Sequence, residues 1–462
     1  MTYTIEKVTT LIGARRYGDN DTNIGFILTD SRSLCFPEET LFFALKSERN
    51  DGHNYIPELY RRGVKNFVVT DVPKGYASDY PGANFLKVVN TLEALQRLAE
   101  RHRDEFNIPI VGITGSNGKT MVKEWLYQLL SPSMFVTRSP RSYNSQIGVP
   151  LSVWLMNEQT QVGVFEAGIS QPGEMLALRD IIQPTIAVLT NVGSAHQENF
   201  SSLEEKCREK LILFHDAETV VYDGDDELIT KVVAEYPDYK GEKLFWSLKN
   251  PEAPFYVKNI EKQQSVSVIT YIYKGEMDSF SIPFIDDASI QNSIISAVVA
   301  SKLGVSAEDI DKRMAKLEPV AMRLEVKVGQ HGCTLINDSY NSDINSLDIA
   351  LDFMNRRPDH RGRRHTLILS DIYQSGLSPE ALYKEVSDLA RKRGVVKFIG
   401  IGPELCQQHD AIQISEKFFF QDVEEFIKSE VFASLRDEVI LLKGARQFGF
   451  DQLTELLVQK VH

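Results

Sequence analysis

Nine residues, Ile113-Thr-Gly-Ser-Asn-Gly-Lys-Thr-Met121, carry the clearest chemical signal in the chain. They separate a strand-like apolar run, residues 108–112, from a helix-like run, residues 122–130. A glycine-rich turn at such a junction points several backbone N–H groups at one place, where the helix dipole adds positive charge. Lys119 would meet the outer phosphates, and the Thr120 hydroxyl suits a magnesium ion. The residues assigned to a nucleoside triphosphate are Gly115, Ser116, Asn117, Gly118, Lys119 and Thr120, although Ile113 replaces the first glycine of the usual GxxxxGK[ST] pattern.

Polar residues also follow two other strand-like runs. Glu166 ends the run 162–165, and His196 lies just past the run 186–190. Ligands bind at the carboxyl ends of strands in parallel sheets, so both side chains could face the phosphate loop and bind magnesium or substrate. Each also has a plainer interpretation, Glu166 as a helix cap and His196 as a surface histidine.

Lys210 occupies an unusual position for a lysine. The segment 201–215 opens with a helix-start pattern, and its apolar residues recur at helical spacing. These apolar residues are Leu203, Cys207, Leu211 and Phe214. Lys210 falls on their face, where burial would lower the pKa of its ammonium. A neutral amine can add carbon dioxide to form a carbamate, an anionic magnesium ligand. Spacing alone favours the alternative, a lysine whose stem covers apolar surface while its ammonium reaches solvent.

Arg323 and Asp338 flank a hairpin-like stretch, residues 324–337. Asp338 belongs to the polar cluster 337–343, which follows a strand-like run. This cluster could be an Asx turn that caps a helix. It could also present Asp338 to the hydroxyl groups of a ribose.

Strand-like and helix-like runs alternate along the chain, which predicts an α/β fold with mostly parallel sheets. We expect three domains: a small α/β N-terminal domain (1–106), a central P-loop parallel-sheet ATPase domain (107–318) and a C-terminal Rossmann-like domain (319–462). Residues 265–284 alternate instead like an antiparallel ribbon. The polar stretch 101–109 is expected to be a linker.

Composition narrows the classes of protein. A length of 462 residues allows about three domains. The net charge of -13 argues against a general nucleic-acid binder, which must neutralise phosphates. The cysteines are scattered without a CxxC pair, so they indicate neither a zinc site nor a disulfide framework. No apolar run approaches the roughly 18 residues of a membrane span, and a cytoplasmic location is expected.

Together, these motifs resemble the Mur ligase family over nearly the whole chain. The matching segments, in the order and at the spacing of the family, are residues 114–120, Tyr143-Asn-Ser-Gln-Ile-Gly-Val-Pro150, Phe165-Glu-Ala-Gly168, Asn191 with His196, Lys210, Arg323 and Asn337-Asp-Ser-Tyr-Asn341. The turns Asp30-Ser-Arg32 and Asp51-Gly-His53 favour the branch that adds D-alanyl-D-alanine to a UDP-N-acetylmuramoyl tripeptide.

The resemblance implies that ATP and Mg²⁺ are cofactors, and that UDP-N-acetylmuramoyl tripeptide and D-Ala-D-Ala are substrates. It implies that the first domain holds the UDP-sugar, the central domain ATP, and the third domain the amine substrate. It also implies a carbamylated Lys210, against the preference from spacing. The implied catalytic residues are Lys119, Lys210, His196 and Glu166, and the implied metal ligands are Thr120, Glu166, His196 and Lys210. The other implied contacts are Asn292, Arg323 and Asp338 for the nucleotide, and Ser31, Arg32, Asp51, His53 and Asn144 for the substrate.

Two segments and one residue pair depart from the family pattern, and the pair, Gly-Arg before Leu/Phe-Glu in the family, reads Met322-Arg323 here. The adenine-side motif Gly-x-His-Asn-x-x-Asn reads Asp286-Asp-Ala-Ser-Ile-Gln-Asn292, and the loop Gly-Asp-Met-x-Glu-Leu-Gly reads Ser370-Asp-Ile-Tyr-Gln-Ser-Gly376. Another Mur-type or folylpolyglutamate-type ligase, or a non-catalytic nucleotide-binding scaffold, therefore stays open as an alternative. A monomer is expected, and a longer natural chain that continues into an alanine racemase domain is a further alternative.

Overall fold

The computed structural model describes residues 1–48, 50–193, 199–235, 239–321, 323–340, 342–356, 362–373, 377–445 and 448–459. Strands and helices alternate, and the sheets follow one another along the chain, which confirms the predicted α/β architecture. Among the described helices, none is long and apolar enough to cross a membrane.

The first unit is a small sheet flanked by helices. Its strands are β1 (Tyr3–Thr4), β2 (Arg15–Tyr17), β3 (Asn23–Ile24), β4 (Phe26–Leu28), β5 (Thr40–Phe43), β6 (Asn66–Val69) and β7 (Asn84–Lys87), and its helices are α1 (Ile5–Ile12), α2 (Ile56–Arg61), α3 (Tyr76–Asp79) and α4 (Thr91–Arg103). β1 and β3 pair with each other, and the other strands lie in the order β2-β7-β6-β5-β4, with only β2 antiparallel to its neighbour. Helix α4 begins where the Asn90 side chain accepts hydrogen bonds from Leu92 and Glu93, and it buries Leu95 and Leu98.

The second unit contains the phosphate-loop strand. Its main elements are β8 (Ile110–Thr114), α5 (Lys119–Leu130), β9 (Val136–Arg138), α6 (Gly148–Val153), β10 (Val162–Glu166), α7 (Glu174–Ile182), β11 (Ile186–Leu189), α8 (Leu203–Leu211), β12 (Thr219–Val221), α9 (Glu227–Ala234) and β13 (Glu242–Lys243). The strands are parallel in the order β13-β12-β11-β8-β10-β9. Strand β8 is buried at every residue, as expected for a parallel strand covered on both faces. It lies between β10 and β11, so the ends of both neighbours flank the phosphate loop.

An antiparallel sheet extends the second unit. It consists of β14 (Trp246–Ser247), β15 (Phe255–Lys262), β16 (Ser267–Tyr273) and β17 (Glu276–Ile282), followed by α10 (Asp287–Lys302) and α11 (Ala307–Met314). The predicted ribbon is confirmed in β16 and β17, whereas β15 and the pairing with β14 were not predicted. Helices α5 and α10 share one apolar core with this sheet, which includes Trp125, Trp246 and Phe255.

The third unit has a mainly parallel sheet with helices on both faces. Its elements are β18 (Glu325–Val328), β19 (Thr334–Asp338), α12 (Ile344–Arg356), β20 (Arg364–Ser370), α13 (Pro379–Lys392), β21 (Lys397–Ile401), α14 (Pro403–Gln407), β22 (Glu416–Phe420), α15 (Val423–Ile427), α16 (Glu430–Ala433), β23 (Glu438–Lys443) and α17 (Phe450–Leu457). The strand order is β18-β19-β23-β20-β21-β22, with β18 antiparallel. The layers of helices around the sheet are Rossmann-like, but β23, the last strand in the chain, pairs with β19, the first of the parallel strands. The boundaries at 106/107 and 318/319 stay predictions.

The predicted linker at 101–109 is wrong over its first residues. Helix α4 continues to Arg103, and the side chains of His102 and Arg103 are buried. The Arg103 guanidinium donates hydrogen bonds to the carbonyls of Ile182, Gln183 and Phe106. These polar residues satisfy backbone carbonyls of the second unit instead of meeting solvent. The first two units are therefore joined by a packed contact.

His102 makes the contact between the units sensitive to pH. Its Nε2 lies 3.1 Å from the Met156 carbonyl oxygen, which can only accept, so Nε2 carries the proton and Nδ1 accepts from the Tyr3 hydroxyl at 2.8 Å. Burial lowers the pKa of His102 from 6.5 to about 4. Between pH 6.5 and pH 4, His102 is therefore protonated in the unfolded chain but stays neutral in the folded chain. Stability present above pH 6.5 is lost as the pH falls towards 4.

We expect this one residue to account for up to about 3 kcal/mol of unfolding free energy lost between pH 7 and pH 4. Urea unfolding of the wild type and of His102→Gln at pH 7.5 and pH 4.5 measures it. The stability difference between the two proteins should shrink at the lower pH. If the difference in unfolding free energy between the two proteins does not change with pH, the lowered pKa of His102 is contradicted.

Candidate active site

The phosphate loop is open for an anion. Gly118, with φ of 84°, precedes α5, and no side chain caps the first turn of that helix. The helix begins at Lys119, earlier than the predicted run, so its dipole ends at the loop. Gly115 has φ of 143°, and a Cβ there would overlap the Thr190 hydroxyl. Both glycines are thus required by backbone conformation, and the uncapped N–H groups at the start of α5 are available to phosphate oxygens.

The residues that follow β11 hold the phosphate loop in position through hydrogen bonds. The Asn191 side chain accepts a hydrogen bond from the Asn117 N–H at 3.0 Å, and its amide group donates to the Asn117 carbonyl at 3.2 Å. The Ser116 hydroxyl oxygen accepts from the Gly193 N–H at 2.8 Å. A preorganised loop loses little entropy when it binds a ligand.

Lys119 curls over its own loop. Its ammonium donates to the carbonyls of Gly115 at 2.7 Å and Ser116 at 3.3 Å. Burial lowers the pKa of Lys119 to about 8, and Arg323 acts in the same direction while Glu166 and Asp343 oppose it. A bound phosphate would offer this ammonium a full negative charge in place of two carbonyl oxygens.

Glu166 is fully buried at the end of β10. Its Oε2 accepts hydrogen bonds from the Thr120 hydroxyl at 3.1 Å and from the Asn144 amide at 3.4 Å. The structure therefore brings together the Thr120 hydroxyl and the Glu166 carboxylate, two predicted metal ligands that lie on separate elements. Hydroxyl and carboxylate oxygens are the ligand types that Mg²⁺ prefers, so these residues fit that ion. Within the described residues, no group of three or more His, Cys, Asp or Glu side chains clusters around a possible metal position.

Lys210 is buried, with 2% of its surface exposed, and it lines the same cavity as Lys119 and Thr120. No hydrogen bond or ion pair joins its ammonium to the residues that the structure describes. Burial, and then the charges of Lys119 and Lys206, hold the pKa of Lys210 well below its usual range. The alternative in which the ammonium reaches solvent does not fit this burial. Leu203 is exposed, so the apolar face of α8 is smaller than predicted.

The main cavity has a volume of about 480 Å³ and is lined from all three units. The lining includes Leu92 of α4, residues 115–121, residues 144–147, Lys210, Arg323 and Tyr340. Arg323 stacks on the Tyr340 ring at 4.3 Å from its centroid. The predicted residue His196 lies outside the described residues.

A second cavity of about 90 Å³ adjoins the loop on the side of α10. Asn117, Gly118, Asn292, Arg323 and Asp338 line it, which brings together the nucleotide residues predicted on different units. Asn292 lies so close to Gly118 that a Cβ there would overlap its side chain.

The altered segment 286–292 keeps a structural role. Asp286 caps α10 by accepting from the Ser289 N–H at 2.8 Å. In the other altered segment, Asp371 accepts from the N–H groups of Glu404 and Leu405 and so caps α14. Residues 374–376 lie outside the described ranges.

Asp338 is held by a lysine that no sequence motif predicted. Lys443 donates to Asp338 Oδ2 at 2.7 Å, and the Leu324 N–H donates to Oδ1 at 3.3 Å. Lys443 is fully buried at the end of β23, directly beside Asp338 in the sheet register. Its position directly after the apolar run 439–442 was the available signal in the sequence.

We expect Asp338→Asn to weaken ATP binding by about tenfold or more, since a hydrogen bond to a charged group contributes about 1.5–3 kcal/mol. Isothermal titration with ATP and with the UDP-sugar measures both affinities. Asp348→Asn, at an Asp on α12 that pairs with Arg393, is the control. A loss of UDP-sugar affinity with unchanged ATP affinity would contradict the predicted role of Asp338.

The predicted substrate turns of the first unit lie away from this lining. Arg32 is largely exposed and forms a bidentate ion pair with Asp30, while the Ser31 carbonyl accepts from Arg62. Asp51 accepts from both the N–H and the ring Nδ1 of His53, and Nε2 of that ring accepts from the Thr70 N–H at 3.1 Å. Both ring nitrogens of His53 therefore have partners within the unit. Of the predicted substrate residues, Asn144 alone lies in the main cavity lining.

Comparisons with known proteins show similarity in sequence and in fold. The family described as Mur ligase middle domain matches residues 113–300. UDP-N-acetylmuramoyl-tripeptide–D-alanyl-D-alanine ligase of Bacillus subtilis (strain 168) is 28% identical over 371 residues, which covers 79% of this chain and 77% of that protein.

Two solved structures share the fold. MurF from Acinetobacter baumannii superposes with a TM-score of 0.83 at 22% identity, covering 99% of both chains. MurF from Thermotoga maritima in complex with ADP superposes with a TM-score of 0.75 at 23% identity, covering 93% of this chain and 96% of that one. Residues 113–300 thus match the middle domain of Mur ligases, and the chain is similar to Mur ligases in sequence over most of its length and in its fold.

Proposed function

We propose that this chain is an ATP-dependent ligase that adds D-alanyl-D-alanine to UDP-N-acetylmuramoyl tripeptide. The observation that carries the proposal is the main cavity, where the phosphate loop, Lys210 and Arg323 meet. The function named for the Bacillus subtilis relative gives the substrates. A cytoplasmic location and a monomeric state are part of the proposal.

The reaction proceeds in two steps. The terminal carboxylate of the tripeptide attacks the γ-phosphorus of ATP, and ADP leaves, so that an acyl phosphate forms. The amine of D-Ala-D-Ala then attacks the acyl carbon, loses a proton, and releases inorganic phosphate. Catalysis of this kind depends on positioning and on stabilising negative charge on the phosphate oxygens.

The residues of the phosphate loop carry most of that charge stabilisation. The N–H groups of Gly118, Lys119 and Thr120 and the Lys119 ammonium bind the β- and γ-phosphates, and Arg323 reaches the γ-phosphate from the third unit. Asn292 and Asp338 hold the nucleoside from the second cavity. Because the contacts come from two units, their approach assembles the site.

The implied metal is Mg²⁺, which neutralises crowded phosphate oxygens when it is bound. Thr120, Glu166, His196 and a carbamylated Lys210 would hold it. The carbamate forms when the neutral Lys210 amine attacks carbon dioxide, making an N–C bond and releasing one proton. The low pKa of Lys210 supports this step, because the amine must be unprotonated to react.

Each unit is assigned a different substrate. We assign the UDP-sugar to residues 1–106, with Ser31, Arg32, Asp51 and His53 as candidate contacts. We assign ATP to residues 107–318 and the amine substrate to residues 319–462. Leu92 of the first unit borders the main cavity, so the first unit reaches the space in which the peptide carboxylate would meet the phosphate loop.

Phosphate release with all substrates and with each one omitted tests the proposal. Release should require ATP, UDP-N-acetylmuramoyl tripeptide and D-Ala-D-Ala together. Release with the UDP-muramoyl dipeptide and a diamino acid would favour another Mur-type ligase, and release with a folate and glutamate would favour a folylpolyglutamate-type one. ATP binding without release under any of these conditions would favour the scaffold.

A further inference from the structure

Lys123 is a buried cation that the reaction as described leaves without a role. It lies on α5 one turn after Lys119, and its side chain is completely buried. Its ammonium is surrounded by oxygen atoms: Glu124 Oε1 at 2.9 Å, Glu166 Oε1 at 3.2 Å, and the carbonyls of Ser139 at 2.9 Å and Arg141. A lysine is buried so completely only when such partners replace its water.

Two partners of Lys123 bear directly on the phosphate loop. The first is the carboxylate of Glu166. Its Oε1 has no hydrogen-bond donor in ideal geometry and is held by the charge of Lys123, whereas Oε2 faces Thr120 and Asn144. Because a carboxylate is planar, fixing Oε1 also fixes the direction of Oε2.

The second partner is the segment 139–142, which follows β9. Arg141 lies in the left-handed region with φ of 50°, a conformation that non-glycine residues rarely adopt. Its carbonyl is turned onto Lys123. The next residue, Ser142, places its hydroxyl 2.9 Å from that of Thr120. Lys123 thus stabilises the strained turn that brings Ser142 to the Thr120 hydroxyl.

We propose that Lys123 is a positioning residue for the divalent cation that accompanies the nucleotide. It acts through Glu166 and through the 139–142 turn, and it touches neither substrate nor metal. The inference rests on the proposed function, because it assumes that Thr120 and Glu166 bind this cation. Groups that orient metal ligands commonly change metal affinity by about 10–100-fold when they are removed.

Lys123→Met keeps the length of the stem and removes the charge. Mn²⁺ binding to the ADP-bound protein, followed by electron paramagnetic resonance, is the readout. We expect the variant to bind Mn²⁺ about tenfold or more weakly, with metal-free ADP affinity and UDP-sugar affinity close to those of the wild type. A purely structural lysine predicts lower thermal stability with unchanged Mn²⁺ affinity.

Lys397→Met is the matched control. Lys397 is also buried and pairs with the buried Glu438 at 2.6 Å, but it lies at the start of β21 in the third unit. Its replacement should lower the unfolding temperature and leave Mn²⁺ affinity unchanged. Lys123→Arg keeps the charge in case Lys123→Met fails to fold. Its larger planar group cannot reproduce the same contacts, so it should also bind Mn²⁺ more weakly.

The outcomes distinguish a failure of the role proposed for Lys123 from a failure of the proposed function. If the wild type binds Mn²⁺ with ADP and either folded Lys123 variant binds it equally well, the role of Lys123 is overturned and the proposed function stands. If the wild type with ADP binds no Mn²⁺, the proposed metal-dependent function is overturned, and the inference with it.

Discussion

Lys119→Ala is expected to lower the rate of phosphate release by about 10²–10³-fold or more, which is the usual effect of removing one preorganised group that stabilises developing charge. The Lys119 ammonium sits over the phosphate loop, where burial already lowers its pKa to about 8. A γ-phosphate bound at the loop would interact with this ammonium, which is the one full positive charge among residues 115–120.

Steady-state phosphate release by Lys119→Ala and by Lys312→Ala measures the effect. Lys312 belongs to the same unit and pairs with Glu308 on the exposed surface of α11, so its loss should leave the rate unchanged. Circular dichroism confirms that both variants fold. A folded Lys119→Ala with the wild-type rate would exclude this loop as the site of phosphoryl transfer.

Lys210→Ala should lose nearly all activity, and Lys210→Arg should not restore it. Arginine keeps a positive charge and cannot form a carbamate, so it would place a cation where the account requires an anion. Acetate should partly rescue Lys210→Ala, because its carboxylate can occupy the vacated space. A lysine with a purely structural role predicts the reverse, with Arg nearly neutral and acetate without effect.

The carbamate can also be observed directly. With ¹³C-labelled bicarbonate, the wild-type protein should show a carbamate resonance that Lys210→Arg lacks. Lys231→Arg, at an exposed lysine of α9, is the control and should retain both the resonance and the activity. Near-normal activity in Lys210→Arg would rule out the carbamate.

The sequence was most informative where function depends on local pattern. The phosphate loop and the positions of Glu166 and Asn191 at strand ends follow from apolar runs that stop at polar residues. Because β8 pairs with β10 and β11 in a parallel sheet, those strand ends necessarily meet at the loop. This part of the site could be predicted before any contact was known.

The remaining residues depend on contacts between distant segments. Lys123 resembles any polar residue in a helix until Glu166 and the 139–142 turn surround it. The stretch 101–109 resembles a linker because its charges suggest solvent, yet Arg103 bonds to backbone carbonyls far along the chain. The burial of Lys210 is of the same kind, since the spacing of residues within α8 does not show what covers that helix in the fold.

The transfer of oxygen from the tripeptide to phosphate distinguishes ligation through an acyl phosphate from other ways of consuming ATP. The tripeptide is prepared with ¹⁸O in its terminal carboxylate and incubated with ATP, D-Ala-D-Ala and the protein. If the chain ligates through an acyl phosphate, mass spectrometry will show the UDP-muramoyl pentapeptide, with one ¹⁸O in each released phosphate. Phosphate that contains no label, or the absence of the pentapeptide while ATP is consumed, would contradict the account.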